Sequence, residues 1–309
     1  MEESDLVNDS EKDGLLEILS FYRFLNLTSD QLVLLADSIT GFAKANELKG
    51  LVIAAKEGLN GTVCCDRAGM DKFKNFLLDY SNGEDWKFKI SACEFNPFKR
   101  FSLKFRSEIV TSGNLNLKPN MLDDSHISPD EWHEILLKQN DYVLIDVRND
   151  YEVDIGKFKG ALDPKTKDFK EFPDFVKNSN IDKNTKILMY CTGGIRCEKA
   201  FLEMKDLGYS DIKQLDGGIL SYIEKYPDGF FEGECFVFDE RVALDKSLRP
   251  SKQYSLCPHC GDPASEIIKC KLCEKEMKVC NDCLEEEKRQ TCSKNCRYHY
   301  NQKLIKNQS

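Results

Sequence analysis

The chain has 309 residues, 41% hydrophobic and 31% charged, which allows about two domains plus an appendage at ~150 residues each and excludes wholesale disorder. Its longest strongly apolar runs, such as Leu32 to Leu35 and Leu51 to Ala55, fall far short of the ~20 residues of a membrane span, so an integral membrane protein is excluded. The net charge of −9 argues against indiscriminate nucleic-acid binding. The start lacks the basic-then-apolar pattern of an export signal, so a cytoplasmic location and reduced cysteines are expected.

Residues 1–14 read as a disordered acidic tail. Residues 1–17 hold seven acids and one base, leaving only −3 for the rest of the chain. Residues 15–113 are expected to form an alternating α+β unit. Ile18 to Phe24 is strand-like. Thr28 with Gln31 opens a helix as a capping box, and Leu32, Leu35, Ala36 and Ile39 follow at helical spacing. Leu51 to Ala55 and Gly61 to Cys65 are strand candidates, with Glu57 to Gly61 as the turn between them. Met70, Phe73, Lys74 and Leu77 predict a second helix, and Lys87 to Cys93 and Arg100 to Phe105 further strands. This order is the split βαβ, ferredoxin-like arrangement.

Residues 114–127 read as a polar linker, and residues 128–226 as a second domain. Ser128 caps a helix with Pro129 at its first position and Glu131 completing the box. Strands are expected at Tyr142 to Val147, Ile187 to Cys191 and Ile212 to Leu215, with a helix over Glu198 to Leu207. Alternation of strands and helices implies a parallel α/β sheet. Residues 227–256 read as a connecting arm and 257–309 as a cysteine-rich zinc module, its end from 297 onward frayed.

The sharpest chemical signal is Tyr190-Cys191-Thr192-Gly193-Gly194-Ile195-Arg196-Cys197. Cys191 ends an apolar strand. The glycines let the backbone turn so that the amides of Thr192, Gly193, Gly194 and Ile195 form an anion cradle. The next helix adds its positive end and Arg196 a fixed charge, so Cys191 is expected to be a thiolate able to attack sulfur or carry a persulfide. Cys197 either resolves such a species or packs as a core thiol.

This turn resembles the active loop of the rhodanese (sulfurtransferase) family, together with Leu144-Ile145-Asp146-Val147-Arg148, Glu152, Gly160-Ala161 and Gly217-Gly218-Ile219. The resemblance implies that Cys191 carries a persulfide, that Arg196 is the loop arginine, and that Asp146, Arg148 and Glu152 brace the fold. Four residues separate Cys191 from Arg196. Phosphatases of this fold have one more, so the tighter cradle suits sulfur better than phosphate.

Four segments in order narrow the resemblance: Ala54 to Thr62, Lys104 to Val110, Tyr190 to Ala200 and Phe231 to Arg241. Together they resemble the rhodanese-domain, oxygen-dependent tRNA uridine hydroxylases. That family implies a tRNA substrate, molecular oxygen as co-substrate, 5-hydroxyuridine at the wobble position as product, and a cysteine-dependent reaction. The sequence itself shows no His/carboxylate iron triad and no flavin or nicotinamide fingerprint, and it leaves the electron donor open. The resemblance also implies RNA contact by Lys99, Arg100, Lys104 and Arg106, interleaved with phenylalanines. By itself that segment reads better as an ordinary edge strand with solvated charges and buried phenylalanines, and only the resemblance raises the RNA reading.

Eight of the fourteen cysteines form four close pairs: Cys257 and Cys260, Cys270 and Cys273, Cys280 and Cys283, Cys292 and Cys296. Two tetrahedral Cys₄ zinc sites are the natural solution, with an iron–sulfur cluster as the rival. Spacing leaves sequential and cross-braced pairings open. The expectation is a tRNA-modifying oxidoreductase. A sulfurtransferase using a Cys191 persulfide and a non-catalytic RNA-binding scaffold are the alternatives.

Overall fold

The structure, a computed structural model, describes residues 15–308 except 82, 84, 85, 121–123, 139 and 140. The expected acidic tail lies outside the described residues.

The first unit comprises β1 (Leu16–Phe24), α1 (Ser29–Ala45), β2 (Lys49–Ala55), β3 (Gly58–Cys65), α2 (Arg67–Tyr80), β4 (Lys87–Cys93) and β5 (Phe101–Phe105). Thr28 caps α1 through the expected reciprocal box with Gln31, and Asp66 caps α2. The sheet order is β4-β1-β3-β2-β5. The first four strands are ferredoxin-like, and β5 adds an edge parallel to β2. Along β1, Leu19 and Phe21 pack with Leu35, Ile39, Met70 and Phe73 of the helices. Period-two alternation therefore turns Ser20 and Tyr22 to the opposite face.

The turn read at Glu57 to Gly61 is shorter than expected. Ala55 pairs with Gly58, so the connection is Lys56-Glu57 alone and Gly58 to Gly61 belong to β3. The tight two-residue hairpin leaves Glu57 at its tip.

The second unit contains β6 (His126–Ile127), α3 (Pro129–Lys138), β7 (Val143–Asp146), α4 (Asp150–Val153), β8 (Gly156–Phe158), α5 (Phe172–Asn178), β9 (Ile187–Tyr190), α6 (Ile195–Asp206), β10 (Ile212–Leu215) and α7 (Gly218–Lys225). Its sheet is parallel, in the order β6-β10-β9-β7. Every residue of β9 is buried. Leu188 and Tyr190 pack with Trp132, Ile219 and Tyr222 on one face; Ile187 and Met189 pack with Phe172, Phe201 and Met204 on the other. An unbroken apolar strand is what a sheet covered on both faces requires.

The stretch read as a linker ends in β6, a two-residue strand too short to leave a pattern in composition. The stretch read as an arm is also structured. Its β11 (Phe231–Gly233) pairs with β8, and β12 (Cys235–Phe236) pairs with β13 (Ala243–Leu244). The cysteine-rich region follows as β14 (Ser255–Leu256), β15 (Pro263–Ala264), β16 (Glu266–Lys269), β17 (Glu276–Val279), α8 (Asn281–Leu284) and α9 (Lys294–Gln308). The expected fraying from 297 is corrected: α9 runs through it.

No described helix is long and apolar enough to cross a membrane.

Candidate active site and cysteine-rich centre

Cys191 lies one residue beyond β9, at the carboxyl end of the parallel strands, where α/β sheets place their ligands. Helix α6 begins at Ile195, three residues earlier than expected, with Gly194 as its cap at φ 103°. Ile195 and Arg196 therefore sit in the first helical turn. A side chain at Gly194 would also meet the Tyr22 hydroxyl at 2.9 Å, so glycine is required there twice over. The N-terminus of α7 holds the loop from behind: Ile219 and Leu220 donate to the carbonyls of Cys191 and Thr192 at 3.0 and 3.2 Å.

The Gly194 amide donates to Cys191 Sγ at 3.1 Å. Burial pushes this thiol up. Donation from the Cys197 thiol, the charge of Arg196 and the amides of Cys197 and Arg196 outweigh it, bringing Cys191 from 9.0 down to about 6. Cys197 itself is pushed well up by burial and by Cys191. The contrast within one chain is informative: burial pushes Cys64, Cys65 and Cys235 up to about 12. Low-pKa character follows from the cradle rather than from being a cysteine.

Arg196 is shared. Its guanidinium binds Glu152 with two hydrogen bonds of 2.5 and 2.8 Å and reaches Thr192 Oγ1 at 3.3 Å. Glu152 is fully buried, held by the Asn149 amide at 3.2 Å. Arg148 pairs with Asp146 beneath. The expected bracing by Asp146, Arg148 and Glu152 thus takes the form of two buried ion pairs.

The open face of the first sheet covers this loop. Tyr22 donates to Glu198 Oε1 at 2.9 Å, and His126 Nε2 lies 3.1 Å from the same oxygen. Lys199, fully buried on α6, binds Glu57 at 2.9 Å and Glu108 at 2.7 Å. Lys87 and Lys89 of β4 pair with Asp216 and Glu224. Between the two units lies a cavity of about 930 Å³, with Cys191, Thr192, Tyr22, Lys87, Phe238 and Arg241 on its wall. Cys191 is almost wholly covered, yet its surface forms part of that wall.

Sequence reasoning gave no individual role to Tyr22, Glu108, Lys199, Phe238 or Arg241 and read Glu57 as a turn residue, although all but Tyr22 fall within the four segments that carry the family resemblance. A signal was available for Lys199, which stands between Cys197 and Ala200 on the buried side of α6; Tyr22 shares its phase along β1 with Leu16 and Ile18 and carried none. Lys99, Arg100, Lys104 and Arg106 lie on β5 and its approaches and are exposed. Lys99 pairs with Glu240 at 3.1 Å, and none of the four is among the described residues lining the cavity. Phe98 of the same segment does line it.

The eight tail cysteines gather into two groups, Cys257, Cys260, Cys280 and Cys283, and Cys270, Cys273, Cys292 and Cys296. The first pair joins the third and the second joins the fourth, so the interleaved arrangement is the one adopted. Sulfurs stand 3.4 Å apart for Cys260–Cys280 and 3.9 Å for Cys273–Cys296, bracketing the about 3.8 Å edge of a tetrahedron with 2.3 Å metal–sulfur bonds. Backbone amides of Cys260, Cys280 and His259 point at Cys257, and the Cys292 amide donates to Cys270 Sγ at 3.3 Å. Four thiolates steadied by amides fit a soft, tetrahedral metal ion.

Three family models match the chain. Residues 16–109 match the UPF0176 acylphosphatase like domain, 128–225 the rhodanese-like domain and 232–297 the rhodanase C-terminal model. A protein of Bdellovibrio bacteriovorus named tRNA uridine(34) hydroxylase is 45% identical over 285 residues, covering 91% of this chain and 80% of that one. Proteins of the same name are 40% identical in the Wolbachia of Brugia malayi, over 86% of this chain and 97% of the other, and 41% identical in Picosynechococcus, over 80% and 82%. On that identity and coverage, the chain belongs to the tRNA uridine(34) hydroxylase family.

Proposed function

We propose that this chain hydroxylates C5 of the wobble uridine of tRNA with molecular oxygen, using Cys191 as its reactive sulfur. One oxygen atom becomes the 5-hydroxyl in place of hydrogen. The other leaves as water, which takes two electrons and two protons from an external reductant. The observation that carries this reading is an amide-cradled sulfur in the wall of a cavity of about 930 Å³, in a chain of the tRNA uridine(34) hydroxylase family. The amide cradle and the Arg196–Glu152 pair stabilise negative charge on that sulfur, whether thiolate or persulfide. Lys99, Arg100, Lys104 and Arg106 form an exposed basic edge on the first unit, suited to phosphate contact outside the cavity. The two Cys₄ groups hold structural zinc, which fastens the C-terminal segment. A tRNA substrate and reduced thiols fit work in the cytoplasm.

The test is nucleoside mass spectrometry of tRNA from a strain lacking this chain. Wobble 5-hydroxyuridine and its derivatives disappear, return with the wild-type chain, and stay absent with Cys191→Ala. Restoration by Cys191→Ala removes the sulfur from the reaction.

One observation favours a second reading, sulfur transfer: the four-residue spacing of the cradle fits a persulfide. Thiocyanate formation from thiosulfate and cyanide, with tRNA hydroxylation absent, selects it. The intact Cys191 and Arg196, with the Gly194 amide aimed at the sulfur, speak against a non-catalytic scaffold.

A further inference from the structure

Phe238 is 62% exposed and lies on the wall of the cavity that contains Cys191. A single exposed phenylalanine needs no explanation, but this one is held in place. Val237 donates to the Val242 carbonyl at 2.9 Å, and Val242 to that of Asp239 at 3.0 Å. Arg241 grips Asp239 through hydrogen bonds of 2.9 and 2.6 Å and reaches Ser91 Oγ of β4 at 3.0 Å. The turn that carries Phe238 is thereby fastened to the first sheet. The ring stands in T-shaped contact with buried Phe236, centroids 4.9 Å apart. The guanidinium of Arg196 lies 5.9 Å from its centroid, and Arg196 acts on Cys191. A flat, apolar, pre-positioned ring therefore shares the wall of a largely apolar cavity with the reactive sulfur, and it is the ring that the Arg196 guanidinium faces.

We propose that Phe238 is the platform on which the target uracil stacks when it enters the cavity. This rests on the function proposed above. An unstacked base loses its neighbours when it leaves the anticodon loop, and an aromatic face replaces them without regard to base identity. The ring is fixed before binding, so little side-chain freedom is lost on contact. Arg196, already paired with Glu152, backs the ring and links the platform to the cradle.

The experiment uses the full chain and an anticodon stem–loop carrying uridine or 5-iodouridine at the wobble position. Phe238→Ala and Phe238→Leu lower kcat/KM for hydroxylation about 10- to 100-fold. Phe238→Tyr and Phe238→Trp stay within about threefold of wild type, because they keep the flat face. Irradiated 5-iodouridine forms its adduct on the peptide containing Phe238. The pH profile of Cys191 alkylation is unchanged in Phe238→Ala, which shows that the cradle is intact. Wild-type kcat/KM in Phe238→Ala, full retention by Phe238→Leu, or adducts confined to other peptides overturns the platform. If the wild-type chain forms no 5-hydroxyuridine, the proposed function falls and the platform with it; product made equally by Phe238→Ala removes the platform alone.

Discussion

At Cys191, burial and hydrogen bonding oppose each other. A buried thiol with no donors stays protonated, as the values near 12 for Cys64 and Cys235 show. The donors around Cys191 reverse that outcome. Its iodoacetamide labelling rate therefore rises through about pH 6 and is flat by pH 8, whereas an ordinary thiol keeps gaining reactivity toward its own value of 9.0. Arg196→Met moves that midpoint upward. It also leaves Glu152, fully buried, without its cation, at a cost of about 3–5 kcal/mol in urea unfolding. Arg196→Met combined with Glu152→Gln recovers most of the stability but not the midpoint, which separates the charge on the sulfur from the bracing of the fold.

Among the elements, α6 carries the most consequence. Its first turn builds the cradle, its second presents Lys199 to Glu57 and Glu108 of the first unit, and Glu198 receives Tyr22. Lys199→Met leaves two carboxylates facing each other in a buried contact, so equilibrium unfolding loses about 3–5 kcal/mol. Burial pushes Glu108 up, but Lys199, Ser112 and Gly113 together hold it below 4.5. A depressed carboxylate contributes stability above its unfolded value and loses it as pH falls through the folded one. Wild-type stability thus declines on acidification below about 4.5, and Glu108→Gln weakens that dependence. Helix α6 was legible in the sequence as a helix after a glycine turn. Its contacts were not, because Glu57 and Lys199 are separated by 142 positions and nothing near either names the other.

In the whole molecule, the cysteine-rich segment is interlocked. One pair of each group lies between the two pairs of the other, so with both groups loaded, loss of one metal is expected to loosen the loops that hold the second. Metal analysis of the purified chain gives about two zinc ions. Cys283→Ser lowers that to below one, while independent sequential sites would retain one. The eight candidate ligands were legible from their spacing, since paired thiols on a short polar segment have few other uses. Their partnership depended on the path of β16, β17 and α8.

The residues by themselves determined what is local: helix caps, the apolar strand into a glycine turn with Cys191 at its end, and the four close cysteine pairs. These are decided within a few positions by backbone sterics, hydrogen bonding and side-chain chemistry. Tertiary structure alone decided that Tyr22 and Lys199 join the two units, that an exposed phenylalanine from a supposed arm lines the same cavity as the sulfur, and that the cysteine pairs interleave. Those outcomes depend on closing long loops so that surfaces far apart in the chain bury one another, and sequence pattern carries no record of which surfaces will meet.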